Sequence, residues 1–415
     1  MKKNVILLIV LLLCSLNLFA QDLYKPRNVQ RAFKNETRSP DGTPGKNYWQ
    51  NTANYNISIK AAPPDRTVSG TEEITYFNNS PNPLNNIVIR LTLNSHQPEA
   101  MREQPFPTEY LTSGVHIDEY RENGKLKDWK ERKGVTWQSV NLDQPLAPGG
   151  SVKLAFKWHY ELSLKSNREG VLDPTTFFIA YFYPRVAVYD DVDGWDRMDF
   201  VEGHEFYNDF NNYNLEVTVP KNYIVWATGD LTNPDETLQP TFARRLKDSF
   251  TSDDVVHIAT LAELTNNSVT AQKDFVTWKW KADNVSDVAL ALSNHYIWDG
   301  GSVIVDPAAN RRVSVQAAYN TEAKDFQKMV EYGKHTLEWA SKNYPGVPYP
   351  YDKTTMVRGE ADMEYPMMIN DNSQSDPNFA RFVAEHDDSC SGAEGPGMAS
   401  ALSQLCRVRL THARG

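Results

Sequence analysis

The chain has 415 residues and carries 53 acidic against 43 basic side chains, a formal charge of −10. That balance argues against nucleic-acid binding through a basic surface, because affinity for phosphate comes mainly from Lys and Arg. A content of 40% hydrophobic and 11% aromatic residues excludes a disordered chain, three cysteines exclude a disulfide scaffold, and the length fits about two or three domains.

The first twenty residues read as a secretory signal peptide rather than as part of the fold. Lys2 and Lys3 form a positive start, Val5–Leu13 is an uncharged apolar run, and Ala20 offers a small residue for cleavage before Gln21. Cys14 does not indicate lipid attachment, since bulky Leu13 precedes it. The expectation is an exported protein, periplasmic or secreted. No later stretch approaches the ~18 uninterrupted apolar residues of a membrane span. Residues 21–50 are polar and proline-containing and read as an extended leader without its own core.

From Tyr55 the hydrophobic period becomes two. Tyr55, Ile57 and Ile59 alternate with polar residues. So do Ile87, Ile89, Leu91 and Leu93; Val152 to Tyr160; Tyr213 to Val219; and Phe275 to Trp280. Turn clusters such as Pro148-Gly149-Gly150 separate the runs. Alternation of this kind sets one strand face on a core and the other toward water. It predicts an all-β, antiparallel saddle or sandwich over residues 51–303. Near residue 320 the period changes. Phe326, Met329, Val330, Gly333, Leu337 and Ala340 fall at helical spacing, with Asn320 as N-cap and a stop before Pro345-Gly346. A second helix is predicted from Asp376-Pro377, with Phe379, Phe382, Val383 and His386 on one face. The all-β region therefore gives way to an α/β one over residues 304–386.

Most motif fragments fail on chemistry. His96, His116, His159, His257, His295 and His335 have no second His at ligand spacing and read as structural or surface residues. His204-Glu205 begins like a zinc-binding H-E-x-x-H, but Asn208 stands where the second His belongs and the segment leads into a strand. Tyr189–Gly194 imitates a calcium loop with Tyr189 at the first ligand position, so a solvated acidic turn is the better reading.

The informative stretch runs from Arg358 to His386. Ala361-Asp362-Met363-Glu364-Tyr365-Pro366-Met367-Met368 is a dense apolar segment with Glu364 at its middle, and about twenty residues later the predicted helix reads Phe382-Val383-Ala384-Glu385-His386. Here the chain resembles the aminopeptidase N-type zinc metallopeptidases of the gluzincin group. Tyr183-Pro184-Arg185 through Asp191, with Trp195 after it, is similar to a segment late in that family's β domain. The resemblance spans roughly residues 50–386. It implies a β-saddle followed by a thermolysin-like catalytic domain, a Zn2+ cofactor, and peptide or protein N-termini as substrates. It implies that Glu364 pairs with the substrate's α-ammonium beside Met363, and that His386 is the first zinc ligand.

The pattern departs after His386. The general-base position holds Asp387 and the second-ligand position Cys390; a third, acidic ligand falls near Arg409, with no acid close by. Asp is a shorter base than Glu, whereas Cys is a competent zinc ligand. Residues 387–415 contain no Phe, Trp, Tyr, Ile, Asn or Lys, and they hold Cys390 and Cys406, while residues 21–389 hold no cysteine. Such a jump in the middle of a motif suggests a frame shift within an aminopeptidase gene, and the polypeptide as written is expected not to hydrolyse peptides. The competing reading is an exported β-sandwich that binds peptide or glycan without catalysis.

Overall fold

The computed structural model describes residues 24–201, 207–376, 378 and 381. The signal-peptide residues 1–20, His204-Glu205 and the tail 387–415 lie outside these. The chain divides into two compact units. One holds the described residues up to Trp49 together with Tyr189–Gly194; the other holds Gln50–Val188 and the described residues from Trp195 on.

The first unit corrects the reading of 21–50 as an extended leader. Arg27–Lys34 is a helix with Ala32 fully buried. Asp191 accepts hydrogen bonds from Thr37 Oγ1 (2.5 Å) and from the Arg38 guanidinium (2.7 Å to Nη2). The acidic turn is real: Asp190 Oδ1 accepts the N–H groups of Val192, Asp193 and Gly194. It is not simply solvated, because the Asp191 side chain is buried against Arg38.

In the second unit the alternating runs become an eight-stranded sheet. Its order is Asp230–Leu231, Phe275–Val285, Asn211–Pro220, Thr52–Ala62, Asp65–Phe77, Ser151–Glu161, His116–Glu122, Lys125–Lys127. Ala53, Tyr55, Ile57, Ile59 and Ala61 are all buried, while the residues between them face out, as a period of two requires. The sheet is not wholly antiparallel. Thr52–Ala62 runs parallel to Asn211–Pro220, in a register that lets Asn212 and Asn214 donate to Asn54 and Asn56. Ile87 to Leu93 also departs from expectation. The strand Leu84–Arg90 buries Ile87, Val88 and Ile89 consecutively, and Leu93 belongs to the 3-10 turn Thr92–His96. Residues 87–89 of this strand are buried on both faces, where alternation has no reason to persist.

A six-stranded mixed sheet follows, ordered Val256–Ala259, Ile297–Asp306, Arg311–Tyr319, Lys353–Gly359, Met368–Asn372, Met363–Tyr365. Arg311–Tyr319 and Lys353–Gly359 run parallel and are joined through the helix Met329–Lys342, as parallel neighbours need a crossover. Gly300 and Gly301 let helices approach this sheet. A Cβ on Gly301 would stand 3.1 Å from Val330 Cγ1, and one on Gly300 3.1 Å from Ser249. The helix begins later than the Asn320 cap predicts. Asn320 Oδ1 instead accepts the N–H groups of Glu322 and Ala323, closing a turn before the 3-10 segment Asp325–Lys328. Three helices inside the expected all-β region (Pro234–Thr237, Pro240–Ser249 and Leu261–Thr265) went unread, and the boundary placed after residue 303 falls inside the strand Ile297–Asp306. Asp376 Oδ1 accepts the N–H of Asn378 (2.9 Å), the bond of an N-cap, and Asn378 and Arg381 are helical.

One buried polar network ties the three-stranded and eight-stranded sheets together. Arg185, on a strand of the three-stranded sheet, holds Asp287 Oδ2 at 2.7 Å, and Tyr183 donates to Asp287 Oδ1 at 2.8 Å. Tyr183 lies 3.1 Å from the Tyr213 hydroxyl, and Tyr213 stacks on Tyr55 at 4.8 Å. Both charged side chains are only 6% exposed. Removing one partner strands the other charge in the core, so Asp287→Ala is expected to lower unfolding free energy by about 3–5 kcal/mol. Urea denaturation checks this; a loss under about 1 kcal/mol would mean that the pair is dispensable.

Candidate functional site

Met363–Tyr365 is the outermost strand of the six-stranded sheet. It pairs antiparallel with Met368–Asn372, Glu364 opposite Ile369, across a turn in which Met367 takes φ 60°. Met363 and Tyr365 point inward and are buried, so the period of two turns Glu364 the other way, half-exposed. The structure thus separates the two residues assigned to substrate: Glu364 is presented at an edge, and Met363 is one of its anchors.

Two polar side chains hold this strand pair to the loop Asn167–Gly170. The Tyr365 hydroxyl donates to the Arg168 carbonyl (2.8 Å) and lies 2.9 Å from the Tyr181 hydroxyl. Asn370 Nδ2 donates to the carbonyls of Asn167 (3.1 Å) and Arg168 (3.3 Å), while its Oδ1 accepts the N–H groups of Glu360 (3.2 Å) and Ala361 (3.4 Å). Gly359 is required here, because a Cβ would lie 1.7 Å from Asn370 Oδ1.

The loop is itself braced from beneath. Ser163 Oγ lies 2.8 Å from His96 Nδ1, 3.0 Å from the Tyr110 carbonyl and 3.4 Å from Glu169 Oε1. Burial pushes the Glu169 carboxyl up to about 8. Burial, with Arg102 nearby, brings the His96 imidazole down to about 4. Both groups are therefore neutral at pH 7. They line a cavity of about 10 Å³ with Arg168, Tyr181 and Phe200, room for about one water.

His386, Asp387 and Cys390 lie outside the described residues. Among the described residues no cluster of three His, Cys, Asp or Glu side chains is arranged to hold a metal ion. Four other histidines meet carboxylates: His116 with Glu131 and His159 with Asp118, the two imidazoles stacked at 5.1 Å, His257 with Asp299, and His295 with Asp173. Sequence reasoning missed Asn370 and Glu169. Asn370 follows an apolar run and reads as its end, and Ser166-Asn167-Arg168-Glu169-Gly170 reads as an exposed turn. It also missed Lys353, which is buried over Trp280, its ammonium brought down to about 7 by that burial.

No sequence-family profile matches the chain, and no curated protein matches it by sequence. Solved structures do. An M1 zinc metallopeptidase mutant from Deinococcus radiodurans superposes with a TM-score of 0.52 at 14% identity, over 84% of this chain and 66% of the other. A two-domain M1 zinc metallopeptidase mutant bound to L-arginine gives 0.48 at 12%, over 83% and 66%. A Deinococcus radiodurans M1 mutant bound to a Tyr-Ser-Ala substrate gives 0.46 at 14%, over 89% and 77%. The chain thus has an M1 metallopeptidase-type fold and spans just under two thirds of the first of these structures. No described helix is long and apolar enough to cross a membrane.

The neutral Glu169 gives a signed prediction. Its folded pKa is raised, so its contribution to stability is complete below pH 4.5 and is lost as pH rises through about 8. Glu169→Gln is expected to gain on the unsubstituted protein across that window, by up to about 4 kcal/mol at pH 8. Denaturation midpoints at pH 5 and pH 8 check it; an equal difference at both would show that the carboxyl is not protonated in the fold.

Proposed function

We propose that the chain follows the plan of an exported zinc-dependent aminopeptidase, and that Glu364 receives the free N-terminus of a peptide. The observation that supports this is the placement of Glu364. It is the half-exposed residue of an outermost strand, set between two buried side chains, in a chain with an M1 metallopeptidase-type fold. An edge strand leaves backbone groups available on one side, where an extended peptide adds as a further strand. A carboxylate beside the end of that added strand accepts a charge-assisted hydrogen bond from an α-ammonium. The selection is then for peptide ends rather than peptide interiors. The clamp through Tyr365 and Asn370 keeps the strand in register with the loop Asn167–Gly170.

In enzymes of this plan a zinc ion polarises the scissile carbonyl and lowers the pKa of its bound water. The residues of this chain fit that ion only in part. His386 and Cys390 are spaced as two ligands, but near Arg409 there is no acid to be the third, and Asp387 is one methylene shorter than the usual base. We therefore assign this polypeptide binding of peptide N-termini and no hydrolysis of its own. The positive start and apolar run within residues 1–20 support export as part of this reading.

The test uses Tyr-Ala amide, which keeps a free amine and has no carboxylate. Titration calorimetry is expected to show saturable binding that weakens at least tenfold on acetylating the amine or on Glu364→Gln, about the 1.5–3 kcal/mol of a hydrogen bond to a charged group. Equal affinity for the free and acetylated forms would refute the assignment. Zinc-dependent release of tyrosine by the chain as written would refute the absence of hydrolysis.

A further inference from the structure

A cavity lies far along the chain from Glu364, beside the strand His116–Glu122 near one edge of the eight-stranded sheet. It measures about 400 Å³, within the usual range for small-ligand pockets, and its lining includes Trp129, His116, Glu99, Glu131, Arg132 and Lys133. We infer that this cavity is a second peptide site, one that takes the carboxyl-terminal residue of a peptide with a large apolar side chain.

The pocket is preformed. Asn94 donates to the Val135 carbonyl (3.1 Å) and accepts the Val115 N–H (2.9 Å). Gln97 donates to the Ser113 carbonyl (2.7 Å) and accepts the Gly134 N–H (2.7 Å). These two amides stitch three loops together. Gly114 and Gly134 take φ of 78° and 70°, and a Cβ on Gly114 would stand 2.6 Å from Asn94 Oδ1. Each amide spends its oxygen and one N–H on the walls, and charged side chains line the same cavity.

Those charges are mixed, Glu99 and Glu131 against Arg132 and Lys133. His116 takes up Glu131, with Nδ1 3.1 Å from its Oε1 and Nε2 2.8 Å from Ser113 Oγ. Arg132 lies over the Trp137 ring at 5.3 Å, a contact that leaves its charge uncompensated. Neither Arg132 nor Lys133 has a carboxylate partner among the described residues, although the protein as a whole carries −10. Two cations fit a carboxylate. Trp129 is held edge-on by Tyr120 (5.7 Å) and Phe156 (5.8 Å) and is half-buried, a rigid apolar surface for a side chain. Glu99, exposed at the rim, suits the backbone N–H of the same residue.

The probe is N-acetyl-Ala-Phe with a free carboxylate, whose blocked amine cannot use Glu364. Titrated into the full chain, it is expected to bind saturably. Amidation of its carboxylate, Arg132→Ala and Lys133→Ala are each expected to weaken it at least fivefold, while Glu364→Gln leaves it unchanged. Arg132 and Lys133 are exposed, so these variants should fold, and their circular dichroism verifies that. Trp129→Ala should abolish the preference for Phe over Ala at the last position. Absence of saturable binding, equal binding of the amide, or displacement of the probe by inorganic phosphate or by a disaccharide at equal concentration would each overturn the proposal.

Discussion

Arg185 and Asp287 meet at 2.7 Å inside a core of aromatic side chains, the first on a strand and the second in the segment between two strands. Arg185 comes from the three-stranded sheet, Asp287 from just before the strand Leu290–Ser293, and the surrounding tyrosines Tyr55 and Tyr213 from the eight-stranded one. Hydrophobic burial alone would tolerate sliding of one sheet over another, because it has no direction. A desolvated ion pair with hydroxyl partners has one satisfied geometry. That fit fixes the three-stranded sheet against the eight-stranded one, while the bonds of Tyr365 and Asn370 to the Asn167 and Arg168 carbonyls hold the strand that carries Glu364. The same loop is braced by Glu169 and His96, two ionisable residues kept neutral by burial.

Much of the fold was legible because most of the eight-stranded sheet has one dry face. In Thr52–Ala62, Ser151–Glu161 and Asn211–Pro220 every second residue is buried, and the alternation is visible in the letters. The strands buried on both faces were not legible in that way: Thr176–Ile179, Ile224–Ala227 and Leu290–Ser293 are buried at every position, and a short apolar run does not announce its period. Pro240–Ser249 was missed although Phe242, Ala243 and Leu246 share a face and Pro240 occupies its first turn, since the surrounding 250 residues read as β. The parallel pairing of Thr52–Ala62 with Asn211–Pro220 joins segments about 150 residues apart and leaves no local trace.

At the site the balance is similar. Glu364 was singled out by the resemblance of Met363-Glu364-Tyr365-Pro366 to a family motif, not by its burial. Its supports were not. Asn370 acts through both ends of its amide on loops distant in sequence, and the Arg168 carbonyl is a backbone group that any residue would supply. His386, Asp387 and Cys390 lie beyond the described residues, so their departure from the resembled pattern stands on the sequence alone. The cavity at Trp129 was illegible for another reason: its walls come from three loops whose amides are spent on backbone partners.

The central claim is that Glu364 marks where a peptide's amino end is held. A crystal structure of the protein soaked with Tyr-Ala amide tests it most directly. The account predicts the ligand's ammonium within hydrogen-bonding distance of the Glu364 carboxylate, with its backbone paired along Met363–Tyr365. A ligand bound elsewhere while that strand edge stays bare would contradict it.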